Sequence, residues 1–186
     1  MVVLFLDGEF TVLYLLSQVF AFGDVVFSLV AVQRRKKVKL LWFNTLASLC
    51  GVIHYALLGA WSGTLTKIIS TTRNGLATYE ASKKKTSRFI PIIFVAIYVV
   101  IGIYSFENWV SILPIAAASI YTVAIYRVGA SRIRKFALLG TTLWLLYNIC
   151  VVSVVGIIGD SIIIINDLVA IYRFRGETKM KLRKQS

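Results

Sequence analysis

The chain has 186 residues, of which 58% are hydrophobic and 16% charged, with a mean hydropathy of +0.79. A soluble domain of this size has too little interior to hide so much apolar surface, which excludes an ordinary water-soluble fold. The formal net charge of +13 sits in short patches tied to the ends of apolar runs, a distribution that argues against nucleic acid and for a lipid bilayer as the partner.

In chain order, residues 10–32, 40–61, 89–106 and 109–126 are apolar runs close to the ~20 residues a helix needs to cross ~30 Å of hydrocarbon. The weakest span is 62–82, with Lys67, Arg73 and Asn74 inside it. The apolar stretch 136–174 is about twice the length of one span, and Gly156 and Gly159 are read as the break that folds it into two. The count is seven helices. Arg34, Arg35, Lys36, Lys37 and Lys39 fill the first loop, Lys83, Lys84, Lys85 and Arg88 the third, and Arg127, Arg132, Arg134 and Lys135 the fifth. The N-terminal stretch and the alternate loops carry Asp7, Glu9 and Glu107 but no Lys or Arg. By the positive-inside rule this alternation predicts an inner-membrane protein with its N-terminus outside and its C-terminus cytoplasmic. The N-terminus lacks the basic region of a cleaved leader. Cys50 and Cys150 fall inside spans as small soft hydrophobes.

Offsetting the chain against itself by about 93 positions brings Arg34 onto Arg127, Leu46 onto Leu139, Gly63 onto Gly156 and Tyr79 onto Tyr172. The first three helices thereby fall on the last three, with one helix between them to reverse the chain. The expected fold is all-α and integral to the membrane: a first three-helix bundle (1–82), a basic loop and linker helix (83–106), a second bundle (107–174) and a basic tail (175–186). Two parallel repeats of this kind, 3+1+3, belong to transporter architectures whose site lies where the repeats meet.

On these grounds the plan resembles the sugar-transporting SWEET proteins, the PnuC vitamin-precursor transporters and the endoplasmic-reticulum retention receptors. The segments "HYALLGAWSG", "LWLLYN" and "AIYRF" look most like the bacterial inner-membrane family typified by YgjV, over roughly residues 15–175. The only prolines are Pro91 and Pro114 and there is no Pro-Gln pair, so sugar specificity does not carry over. The resemblance implies a third helix of each unit facing a central pathway.

Lys67, Ser70, Thr71 and Asn74 form one stripe, because residues seven apart nearly share a helix face. The offset places Lys67 on Asp160 and Asn74 on Asp167. At 1.5 Å per residue the first pair lies about 8 Å deep and the second near the midplane. A charge in hydrocarbon costs at least ~2.5–3.5 kcal/mol, so these side chains are expected to face a cavity or each other. The expected pairs are Lys67 with Asp160 at an outer gate, Asn74 with Asp167 at the centre, and Arg73 with Asp24 inside the first unit. Helix packing alone, or a Lys67 that snorkels outward, are the competing readings. Trp144, Tyr147 and Asn148 share one side of the sixth helix and are candidate substrate contacts, with Asn166 on an adjacent face; plain packing is the alternative. His54 is a candidate proton relay, or a neutral hydrogen-bonded ring.

No metal-spaced His/Cys set, nucleophile elbow or phosphate loop is present, so neither enzyme chemistry, a metal nor a cofactor is expected. The sequence reads as a transporter, facilitated or proton-coupled, for a small polar metabolite, working by alternating access between two bundles. A membrane receptor or sorting protein of the same fold is the rival reading. Either is compatible with a homo-oligomer.

Overall fold

The computed structural model describes residues 12–34, 36–84, 87–106, 108–127 and 130–183, without the side chains of 127, 130–132, 134, 170 and 173–183. The acidic residues Asp7, Glu9 and Glu107, together with Arg35 and Lys85, lie outside the described residues. The described residues form seven α-helices: α1 (Val12–Gln33), α2 (Lys37–Leu57), α3 (Trp61–Ser82), α4 (Ile90–Tyr104), α5 (Ile112–Arg127), α6 (Ala130–Cys150) and α7 (Val154–Arg183). A 3₁₀ turn, Trp109–Ser111, precedes α5, and the Asn108 side chain caps it by accepting from the Val110 amide. Pro91 sits in the first turn of α4, where its missing N–H costs nothing.

Three segments, Val12–Val32, Lys37–Leu57 and Trp109–Tyr126, are long and apolar enough to cross a membrane. Ile90–Tyr104 and Lys135–Cys150 are shorter apolar helices. Large apolar side chains on the outside are many, among them Phe22, Trp42, Ile93, Ile103 and Ile165, as expected of a protein whose outer surface meets lipid rather than water.

The break in 136–174 falls at Val151–Ser153, not at the glycines. Gly156 and Gly159 lie inside α7, where their missing Cβ admits a neighbour: a Cβ at 156 would meet Asn148 Cγ at 2.7 Å, and one at 159 would overlap Val25 of α1. The backbone of α7 also runs on as helix through the segment 175–183, which the sequence reading assigns to a separate tail.

The register of 93 is reproduced in the backbone. It carries Lys37–Leu57 onto Ala130–Cys150 and the start of α3 at Trp61 onto the start of α7 at Val154. Even the turns agree. Gly59 adopts a left-handed φ of 67°, and its counterpart Val152 one of 56°. The Ala60 amide donates to Tyr55 O at 2.9 Å, and the Ser153 amide to Asn148 O at 2.9 Å. Packing is reciprocal as well: α1 lies against α2 and α7, while its counterpart α5 lies against α6 and α3. The described buried apolar clusters occupy the seams, Leu41 with Ile125 and Tyr126, Tyr98 with Ile115, and Tyr55 with Tyr147.

Candidate functional site

A cavity of about 160 Å³ lies between the two sets of helices, lined from α1, α2, α3, α5, α6 and α7, with α4 contributing nothing to its wall. Most of its lining falls into pairs one register apart, such as Ser48 with Thr141, Lys67 with Asp160, and Asn74 with Asp167. The lining positions are therefore paired by the register, while the chemistry they present is not. Both cations lie on α3 and two of the carboxylates on α7.

At one level the Lys67 ammonium donates to Asp24 Oδ2 at 2.5 Å. It also lies 4.8 Å from the centroid of the Trp144 ring and 5.9 Å from that of Tyr55, two rings stacked at 5.4 Å. Asp160 shares the space and accepts from the Asn148 amide at 2.8 Å. Gly51 makes room for the ion pair, since a Cβ there would meet both Asp24 and Lys67.

Two turns further along α3, Arg73 is 2% exposed. Its guanidinium donates to Ala118 O at 3.0 Å and Thr122 Oγ1 at 2.8 Å on α5, and to Asn74 Oδ1. It lies 5.2 Å from the Tyr121 ring centroid and 5.9 Å from that of Tyr98. The Asn74 amide donates onward to Asn44 O and Ser48 Oγ, and Asn44 donates to Tyr121 OH at 2.6 Å. Asp167, fully buried, lines the same region of the cavity.

These contacts correct three expected pairs. Lys67 pairs with Asp24, not Asp160, because the groove at Gly51 leads its side chain toward α1. Arg73 does not pair with Asp24; it crosses to α5, in the other unit. The amide of Asn74 bonds within α2–α3 rather than to Asp167. All six residues nevertheless line one cavity, as do Trp144, Asn148 and His54. Tyr147 and Asn166 do not. Tyr147 is held in a helix seam, and Asn166 has its Nδ2 buried with no hydrogen-bond partner among the described residues.

The seam that takes Tyr147 joins the two units at the end where α3 and α7 begin. Tyr147 OH accepts from the Gly63 amide at 3.0 Å and bonds Ser62 Oγ at 3.0 Å. His54, the register mate of Tyr147, makes the reciprocal contact. Its Nε2 meets Ser153 Oγ at 3.0 Å, and Ser153 Oγ accepts from the amide of Gly156, the mate of Gly63. The opposite ring nitrogen of His54 lies 2.8 Å from Ser17 O. A carbonyl only accepts, so Nδ1 carries the proton and Nε2 receives the serine hydroxyl. Between the two contacts Tyr55 OH donates to Asn148 Oδ1 at 2.9 Å. These two residues are themselves register mates.

Asn44, Tyr121, Ser48 and Tyr55 are cavity residues that sequence reasoning does not single out. Tyr55 carried a usable signal, since it is the register mate of Asn148. Asn44 and Ser48 carried none, because short polar side chains on an apolar helix also satisfy their own backbone.

An all-helical bundle with an apolar outer surface and a buried, charged interior cavity defines the class: an integral membrane protein with an internal polar chamber. The model of the bacterial inner membrane protein family Imp-YgjV matches residues 15–178, and the chain belongs to that family. No curated protein and no solved structure matches the chain.

Proposed function

We propose that the protein is a transporter of the bacterial inner membrane that carries a small polar metabolite by alternating access. Seven helices cross the bilayer, with the N-terminus outside and the C-terminus cytoplasmic, as the loop charges require. The units α1–α3 and α5–α7 run the same way and are linked by α4, which keeps out of the cavity wall.

The observation that carries this reading is the pairing of a polar, register-symmetric cavity with a register-symmetric clasp at one end of it. On the topology above, that end is the outer one, so the structure corresponds to an outward-closed state. Opening the clasp breaks a handful of hydrogen bonds, each worth about 0.5–1.5 kcal/mol net, a scale that a bound ligand can offset. The two units, related by a pseudo-twofold axis along the membrane normal, then rock apart at this end, and the Tyr55–Asn148 bond beside that axis breaks with the clasp. Burial of Lys67, Asp24, Arg73 and Asp167 is costly for a protein that only fills a membrane, which favours a wet path over a purely structural role.

Reconstitution into proteoliposomes tests the reading. Loaded with a mixture of amines, amino acids, sugars and nucleosides, vesicles bearing the protein are expected to release one class faster than protein-free vesicles. Ligand binding without any flux would make the protein a receptor, and would end the transport reading.

A further inference from the structure

The chamber holds an ammonium already, and how it is held indicates what else fits there. The Lys67 ammonium lies against one carboxylate, Asp24, and over the Trp144 face, with Tyr55 stacked on that indole. A carboxylate and two aromatic faces around one cation is the chemistry by which proteins bind ammonium groups. A second carboxylate, Asp160, lines the same space. Its partner is the Asn148 amide at 2.8 Å, with no cation in ion-pair reach among the described residues. This level therefore holds two carboxyl groups against one ammonium. An ionised carboxylate buried without its counter-ion is expensive, so the second carboxyl is relieved either by a proton or by a second cation.

We propose that Asp160, Asp24 and the stacked rings of Trp144 and Tyr55 form a binding site for a small organic ammonium, with Lys67 occupying the ligand's place on the indole until the ligand displaces it. The inference rests on the transporter reading and sharpens it to a substrate class. A cavity of about 160 Å³ is on the scale of one that holds a benzene-sized guest, which limits the ligand to a small amine. Asn148 has a double role. Its amide N–H group orients the Asp160 carboxylate, and its carbonyl oxygen takes the Tyr55 hydroxyl, so occupancy at Asp160 is felt directly by the Tyr55–Asn148 bond. Lys67, already on the Asp24 carboxylate and over the indole, is an internal competitor for that place.

The test is binding in detergent, read by calorimetry and by tryptophan fluorescence, with methylammonium, propylammonium, tetramethylammonium and choline as probes, and dimethylbutanol as the neutral isostere of choline. Wild-type protein is expected to bind at least one cation of the series and not the neutral isostere. Asp160→Asn is expected to abolish that binding, and Trp144→Leu to weaken it by about tenfold. Lys67→Met is expected to tighten it, because the competing ammonium is gone. Circular dichroism and gel filtration accompany each variant. Should Lys67→Met fail to fold, Lys67→Gln takes its place. Equal binding of choline and its neutral isostere, no binding of any cation by wild-type protein, or undiminished binding by Asp160→Asn overturns the site. Weaker binding by the Lys67 variant overturns the displacement. Flux of a neutral metabolite without cation binding would sink this site and leave the transporter, whereas cation binding without flux would do the reverse.

Discussion

The turn between α2 and α3 and the turn between α6 and α7 have one backbone and two different residues at the critical position. Gly59 takes the left-handed φ without strain, since it has no Cβ to clash. Val152 takes nearly the same φ with a β-branched side chain, a conformation that costs roughly 1–3 kcal/mol. The same amide–carbonyl bonds close both turns, and the clasp contacts seated on them hold the second turn in its strained form. The shared geometry at two unlike residues follows from contacts beyond the turn, and the local sequence need only tolerate it.

Positions 73 and 166 make the same point with charge. Arg73 is satisfied by α5 carbonyl and hydroxyl oxygens and by Asn74, whereas its mate Asn166 buries an amide nitrogen without a partner among the described residues. Replacing each by leucine is therefore the sharpest way to separate the units. Arg73→Leu is expected to cost about 3 kcal/mol, because it strips acceptors on two helices of their donor. Unfolding in mixed micelles with increasing denaturing detergent reads the loss directly. Gly59→Val, which writes the second turn's side chain into the first, is expected to cost about 2 kcal/mol, seen in the same titration. An unchanged midpoint there would mean that the left-handed turn is not strained at all.

Tyr147→Phe keeps the ring and removes the hydroxyl that takes the Gly63 amide. A loss of about 1–2 kcal/mol is expected, together with faster labelling of an introduced cavity cysteine from the outside. Faster labelling without a stability change would point to a gate held shut by sterics instead. The smallest effects are expected in the opposite direction. Val152→Gly relieves strain but frees the unfolded chain, for a net gain of at most about 1 kcal/mol. Asn166→Leu removes an unmet donor, for a gain of similar size. A clear loss for either, measured as the thermal unfolding midpoint, would contradict this asymmetry between the units.

The fold was legible because its causes are local or collective. Alternating basic loops and apolar runs mark where helices begin and end, and the offset of Gly63 onto Gly156 fixes the register that the backbone follows. The helix break was misjudged because glycine is informative only when its role is known. Gly59 serves the turn, but Gly156 and Gly159 serve close approach, and a valine occupies the turn position that mates with Gly59. The membership of the cavity was largely readable too: depth and face put Lys67, Asn74, Asp160 and Asp167 around one space. Their bonding was not. Whether Lys67 swings to Asp24 or Asp160 depends on a groove left by Gly51 on a different helix, and Arg73 finds its acceptors at Ala118 O and Thr122 Oγ1 on α5. Spacing along one helix carries no information about such neighbours.

The bond from Tyr55 to Asn148 carries a constraint of its own. In an assembly of two identical three-helix chains, a residue at this spot would confront its own copy, tyrosine against tyrosine or asparagine against asparagine. A phenol that donates while an amide both accepts from it and steers a carboxylate needs two unlike residues on either side of the axis. A single chain that carries both halves can place them separately, so this division of labour is available to it and denied to any strictly symmetric dimer of its halves.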